Sequence, residues 1–469
     1  MIADIKPYPE YKESGLPWLG KVPGHWDLMP NRGLVRRRKV LVGKRHTEYQ
    51  LLSLTKQGII VRDISTGKGK FSSDMGTSQE VRSGDLVFCF FDVPETPRTV
   101  GLSRFGGMIT GAYTVLESTG RGNSRYFELY YQVMDDRKLL SPLYSGLRHT
   151  IPVDRFLGIR TPLPPPSEQA AIGRFLDWAS IRLDRAIQAK RKVIALLNEQ
   201  KQAIIHRAVT RGLDPTVALK PSGIPWLGDI PEHWDAPRVK QCARKISKGT
   251  TPSTEGREIL ESGPVRFLKA ENISAGCITD KPLCFIDEET NWMIRRSQLA
   301  ENDVLFVIAG ATLGKTAVVP LEVLPANTNQ AVAFIRPNSR VIPRFLELWL
   351  QSSRIKELIW LNAVQSAQPN LSMADLGNFV IPIPPCNEQQ QILLFVAAIT
   401  MPISETISRL TREIDLLREY RTRLVADVVT GKLDVREAAK GLPDDSSTEI
   451  VEDLVSLVDE TETDNEELI

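Results

Sequence analysis

No Cys-x-x-Cys pair occurs among the five cysteines of this chain, Cys89, Cys242, Cys277, Cys284 and Cys386. Their spacing gives neither a paired-thiolate zinc site nor a disulfide framework, and free thiols suit a reducing, cytoplasmic compartment. No uninterrupted run of 18 apolar residues appears, so no membrane span is expected. The start, Met1-Ile-Ala-Asp-Ile-Lys-Pro7, lacks a charged segment followed by an apolar one, so secretion is not expected. Catalytic motifs are equally scarce. There is no HExxH, no GxSxG and no Asn/Asp-Pro-Pro-Tyr/Phe motif of amino-methyltransferases. The segment Ala309-Gly-Ala-Thr-Leu-Gly-Lys-Thr316 resembles a phosphate-binding loop, but Ala309 replaces its first glycine. The following Ala317-Val-Val-Pro320 reads as strand, where a phosphate site needs a helix N-terminus. Gly106-Gly107 is too short for a dinucleotide fingerprint. His25 and His233 have no carboxylate or cysteine at ligand spacing and read as packed or hydrogen-bonded histidines. A non-catalytic protein without its own metal or cofactor is expected.

Basic residues are missing from one end. Residues 443–469 hold eleven Asp or Glu and no Lys or Arg. The rest of the chain sets 59 Lys and Arg against 46 Asp and Glu, a net of +13 hidden beneath an overall +2. A basic body suits a polyanion such as DNA, although a solvated surface rich in lysine and arginine has the same composition. The acidic segment reads as a disordered tail.

What the chain does have is a repeat. Ser14-Gly-Leu-Pro-Trp-Leu-Gly-Lys-Val-Pro-Gly-His-Trp-Asp27 returns 208 residues later as Ser222-Gly-Ile-Pro-Trp-Leu-Gly-Asp-Ile-Pro-Glu-His-Trp-Asp235, with ten of fourteen positions identical. Pro162-Leu-Pro-Pro-Pro-Ser-Glu-Gln169 answers Pro382-Ile-Pro-Pro-Cys-Asn-Glu-Gln389. Two copies at so long a period mean a duplicated half-molecule with pseudo-two-fold symmetry, not a solenoid. Trp18, Trp26, Trp226 and Trp234 are expected to fasten the start of each copy to a core. Between the repeats lie residues 28–161 and 236–381, which are unlike each other in sequence. Both are rich in short β-type runs such as Asp85–Phe91 and Asp303–Ile308, with a helix expected over 343–359.

Each proline-rich segment is followed by a helical pattern. Val396, Ile403, Leu410, Leu417 and Leu424 stand seven apart, and the equivalent positions of the first copy are Leu176, Leu183, Lys190, Leu197 and Ile204. A second row sets Ile187, Ile194 and Ala208 beside Ile407, Ile414 and Val428. Four heptads in matched phase predict an antiparallel coiled coil of about 28 residues per helix, about 42 Å long. Helices packed singly on their own domains would show a similar pattern. Pro402 is expected at the first position of the long second helix. The expected fold class is α/β in content (mixed α+β): two globular domains separated by two long antiparallel helices. Its divisions are 1–161, 162–214, 215–381, 382–436 and the tail 437–469.

Basic clusters open both globules: Arg32, Arg36, Arg37, Arg38, Lys39, Lys44 and Arg45 in the first, Arg238, Lys240, Arg244, Lys245 and Lys248 in the second. They suit phosphate contacts or plain solvation equally. Base reading needs directional donors and acceptors, for which the candidates are Arg148, His149, Lys248, Thr250, Thr251, Gln365, Gln368 and Asn370.

The paired motifs Pro17-Trp-Leu-Gly20 and Pro225-Trp-Leu-Gly228, His25-Trp-Asp27 and His233-Trp-Asp235, Pro164–Gln169 and Ile383–Gln389, with helices closing at Val209-Thr-Arg-Gly-Leu213 and Val429-Thr-Gly-Lys-Leu433, resemble the specificity (S) subunits of type I restriction–modification systems. Lys248-Gly-Thr-Thr-Pro252 and Gln368-Pro-Asn-Leu-Ser372 look like segments of a target recognition domain of that family. The resemblance runs from about residue 8 to 436 and implies that each globule reads one half of a split, asymmetric double-stranded DNA site. It further implies a spacer formed by the two helices, two modification (methyltransferase) subunits docked on the repeated regions, restriction subunits joining them, and a role in phage defence. S-adenosylmethionine, ATP and Mg would belong to those partners, none to this chain. A coiled-coil adaptor that binds proteins only is the alternative.

Overall fold

The structure, a computed structural model, describes residues 5–62, 75–274, 276–363 and 370–442, with the side chains of 360–363 left aside. Gln365, Gln368 and the acidic tail therefore lie outside the described residues. The chain divides into two compact units, one of Met1–Lys190 with Arg412–Ile469, the other of Arg191–Thr411. The content is mixed α and β.

In the first unit a four-stranded antiparallel sheet is built from β1 (Val35–Arg37), β2 (Leu86–Phe88), β3 (Val100–Leu102) and β4 (Thr114–Ser118), in the order β1-β4-β2-β3. The apolar run Leu86-Val-Phe88 has no polar alternation because both faces are covered: all three residues are buried. Helix α1 (Ser124–Asp136) starts where the Asn123 side chain accepts from the amides of Arg125 and Tyr126. It lays Tyr126, Phe127, Tyr130 and Tyr131 into the core.

The second unit repeats that plan with other residues. Strands β5 (Ala243–Lys248), β6 (Val304–Val307), β7 (Thr316–Val318) and β8 (Val332–Pro337) order as β5-β8-β6-β7, again all antiparallel. Leu86 pairs with Leu116 in one sheet as Val304 pairs with Ile335 in the other. The two globules, unlike in sequence, thus share one topology. The phosphate-loop lookalike is the hairpin between β6 and β7, and the strand expected after it is there. The helix expected over 343–359 is two helices, Pro343–Leu350 and Ser353–Ala363, broken at Gln351 and Ser352.

The long helices are longer than the heptads alone indicate. Helix α2 runs Pro166–Arg211, 46 residues, and α3 runs Cys386–Val429, 44 residues. Pro402 lies inside α3 and does not start it. A proline there removes one backbone hydrogen bond, a loss that the rest of a 44-residue helix outweighs. Within the first unit the start of α2 (Ile172, Phe175, Leu176, Ala179) shares a core with the end of α3 (Leu424, Val428, Val429). Within the second, the end of α2 (Ile205, Ala208, Val209) shares one with the start of α3 (Ile392, Val396). The cross-helix contacts run antiparallel: Arg421 donates to Asp184 at 2.6 Å and Lys190 to Glu413 at 2.5 Å in the first unit, and Lys201 to Ser404 at 2.8 Å in the second. Lys190, the one polar member of the seam, is therefore met by a carboxylate. Leu176, Leu183, Val396 and Leu424 are buried, while Leu197, Ile204, Ile403, Leu410 and Leu417 are half-buried. One 18-residue window of α3 reaches a mean hydropathy of 1.5, enough by length and composition to cross a membrane. Polar residues interrupt the window, so it holds no uninterrupted apolar run. Ile392 and Val396 of this helix pack in the second core.

The repeated motifs find each other in space. Glu168, at the start of α2, is 3% exposed and accepts from Tyr8 Oη at 2.6 Å and Trp26 Nε1 at 2.8 Å, with His25 Nε2 at 2.7 Å. In the second unit Glu388 accepts from Trp234 Nε1 at 3.1 Å and lies 2.9 Å from His233 Nε2. The His-Trp motif is thus bonded to the first turn of the long helix of its own copy. Gln169 and Gln389 continue the clamp, accepting from the amides of Asn123 at 2.7 Å and Ile342 at 2.8 Å. Trp26 and Trp234 are fully buried, and Trp18 and Trp226 pack at the core edges, as expected of fasteners. In the first unit α3 ends against the same clamp. Gly431 has φ +78°, and a Cβ there would meet Pro23 at 2.4 Å, so only glycine fits.

Candidate functional site

In each unit one end of the four-stranded sheet gathers several chain segments. In the second unit β5 ends at Lys248, and Gly249 donates to Val332 O at 2.9 Å while Thr250 donates to Thr328 O at 3.0 Å. A Cβ on Gly249 would fall 2.1 Å from the carbonyl oxygens of Thr328 and Asn329. The glycine lets two backbones close up, which brings Lys248-Gly-Thr-Thr251 beside Thr328-Asn-Gln330. Past β6, Ile308 O accepts from Leu371 N at 2.9 Å, and Ala309 bridges Asn370. Four of the sequence candidates, Lys248, Thr250, Thr251 and Asn370, therefore sit on the segments that meet at this one edge. Two side-chain oxygens there, Thr251 Oγ1 and Asn329 Oδ1, are buried without a hydrogen-bond partner. Such atoms are rare, because each forfeits its bond to water. Asn329 and Gln330 carried no signal in the sequence, since two amides in a strand-rich stretch have no distinctive spacing.

The first unit has the same edge. Past β2, Phe90 O accepts from Ile151 N at 2.8 Å, the counterpart of Ile308 and Leu371. Asp92 N donates to Arg148 O at 2.9 Å, which places Arg148 and His149 at the strand end where Asn370 stands in the second unit. The Arg148 guanidinium is held by Asp92, with Nη2 to Oδ2 at 2.7 Å.

The basic cluster behaves differently. Arg36 and Arg37 are exposed on β1, and Arg36 donates to Glu117 at 2.6 Å across the sheet. Arg38, a DNA-contact candidate in the sequence, turns inward: it is 8% exposed, pairs with Asp85 and Glu80, and donates to Glu80 O at 3.1 Å. In this fold it is a structural ion pair, formed just past the end of β1, where Asp85 and Glu80 meet it. Lys44 is exposed on a short 3₁₀ helix, Gly43–Glu48. Asp303 and Arg336 make a similar internal pair in the second unit, at 2.7 Å. Lys245 is held below the usual lysine range by burial and by Arg336. Among the described residues no group of three His, Cys, Asp or Glu could hold a metal ion.

Comparison with known proteins covers this region. The family described as type I restriction modification DNA specificity domain matches residues 231–415, a span that contains the whole second sheet and its strand-end edge. The specificity subunit of the type I restriction enzyme EcoBI from Escherichia coli is 26% identical over 283 residues, 56% of this chain and 58% of the relative. That of MjaVIII from Methanocaldococcus jannaschii is 26% identical over 298 residues, 62% of this chain and 66% of the relative. The chain resembles type I specificity subunits, and its second half matches their DNA specificity domain. It spans less than two thirds of the length of these curated relatives. A chain from a structure of complex assembly and conformational transition of a type I R-M system shares the fold, with a TM-score of 0.64 at 14% identity, over 88% of this chain and 99% of that one. The specificity-domain match lies in the second half, and the first half carries the same sheet order. The family resemblance read from the repeated motifs therefore holds.

Proposed function

We propose that this chain is the DNA-reading, non-catalytic subunit of a type I restriction–modification complex, with each globule reading one half of a bipartite, asymmetric DNA site. The observation that carries this reading is the strand-end edge. Two sheets of one topology present different loops at the same place, Lys248–Thr251 with Asn370 in one and the segment around Arg148 in the other. A common scaffold with divergent edge residues suits two different half-sites. The net +13 of residues 1–442 favours a polyanionic partner over a purely proteinaceous one. The long helices would set the unread spacer and, with the clamps, dock two modification subunits. S-adenosylmethionine, ATP and Mg would act on the modification and restriction subunits. An adaptor that binds proteins alone would have no use for two loop sets on one scaffold.

Methylation mapping of cells with and without the gene tests the core of this reading: a bipartite motif methylated only in its presence is expected. Exchanging residues 28–161 for another first globule should then alter one half of that motif and leave the other. A change in both halves, or no gene-dependent motif, would rule the reading out.

A further inference from the structure

Among the described large apolar side chains Leu147 is the most exposed, at 102%. Single exposed leucines are ordinary on protein surfaces, so exposure alone assigns nothing. What distinguishes Leu147 is the turn that carries it. Ser145 and Thr150 exchange both backbone hydrogen bonds, at 2.9 and 3.0 Å, and His149 N closes the turn on Gly146 O at 3.2 Å. The turn is rooted on the end of the central strand β2, through Asp92 N to Arg148 O and Ile151 N to Phe90 O. Asp92 (φ 47°) and His149 (φ 44°) both adopt the left-handed region that non-glycine residues seldom enter. Strain of this kind persists where the surroundings over-determine it, and it clusters at functional sites.

The polar side chains of the turn are exposed but rest on the scaffold. Arg148 is held by Asp92, and the His149 ring stands edge-on to Tyr144, with centroids 5.8 Å apart. Beside these polar groups the turn presents one fully exposed leucine on a stiff support, at the edge already assigned to reading. A leucine held in water contributes nothing to folding, whereas apolar side chains on rigid supports are a known means of parting or gripping a base step.

We propose that the Gly146–His149 turn is a reading finger of the first globule and that Leu147 is its apolar wedge, packed against a base step of the first half-site. This rests on the DNA-reading function above. The test uses the full chain purified with its modification subunits, and a duplex carrying the methylated motif found by mapping. A second duplex has the first half-site scrambled. Leu147→Ala should weaken binding to the first duplex about 10-fold or more. Binding to the scrambled duplex and the salt dependence should stay as in the wild type, and Leu147→Met should restore most of the loss. With 2-aminopurine placed step by step through the first half-site, the wild type should raise fluorescence at one step, and Leu147→Ala should not. Equal specificity and equal fluorescence in both proteins would overturn the finger while leaving the function intact. Loss of the co-purified subunits with DNA binding preserved would make the tip a protein contact and also overturn it. Wild-type protein that shows no salt-dependent DNA binding would overturn the function itself, and the finger with it.

Discussion

Glu168 is a buried carboxylate whose three partners come from the segment between Tyr8 and Trp26. Its removal leaves a buried indole N–H and a buried phenol without an acceptor. Glu168→Ala should therefore lower stability by about 2–4 kcal/mol, read from denaturant unfolding. Glu388→Ala removes fewer, longer bonds at a more exposed site and should cost less. Tyr8 titrates far above the usual tyrosine range because burial and then the Glu168 carboxylate disfavour its anion, so the clamp keeps its phenol proton throughout the neutral range. His206 is one group at which pH acts. Burial, followed by the Arg354 charge, holds it below the ordinary histidine range, and its Nδ1 is buried without a partner. Its folded pKa is depressed, so the unfolded state binds the proton more readily and stability falls as pH drops below about 6.5. His206→Leu should flatten the stability profile between about pH 7 and 5, as thermal melts across that range would show. The histidines of the repeat were legible as bonded residues; that their partner would be the Glu of the Glu-Gln motif was not, because 143 residues separate them.

At the scale of elements, the heptad seam was the clearest signal in the chain, and the helices carry it. Periodicity reports only where apolar residues face a partner, so it underestimates helices whose ends pack into a globular core. Ile172 and Phe175 lie in such a core at the start of α2, outside any heptad argument. Pro402 misled for a related reason: helix propensity disfavours it, but the hydrogen bonds of the rest of the helix outweigh the one it removes. The polar seam position Lys190 pairs with Glu413 at half-exposed positions. Lys190→Glu should destabilise the first unit, and Lys190→Glu with Glu413→Lys should recover most of that loss. The coupling expected from a double-mutant cycle is about 0.5–1 kcal/mol, smaller at high salt. A polar seam residue also disfavours slipped registers.

For the whole molecule, the duplication has an unequal character. The opening clamp motif is repeated with ten of fourteen positions identical and the helices in length and phase, while the globules keep only their strand order. If the helices serve as the spacer ruler, inserting seven residues into each, in phase, should lengthen the unread spacer of the methylated motif and leave both half-sites unchanged. Methylation mapping of the variant reads this directly, and an unaltered motif would dismiss the ruler.

The sequence by itself determined the duplication, the apolar seam, the fastening tryptophans and the absence of catalytic motifs, because each is a local pattern of residue types at fixed spacing. Only the tertiary structure decided that two dissimilar globules each form a sheet of the same strand order, that Arg38 turns inward while Leu147 stands outward, and that four scattered candidates meet at one strand end. Strand pairing is set by contacts between residues far apart in the chain, and which face a side chain takes follows from that pairing, which no local spacing encodes.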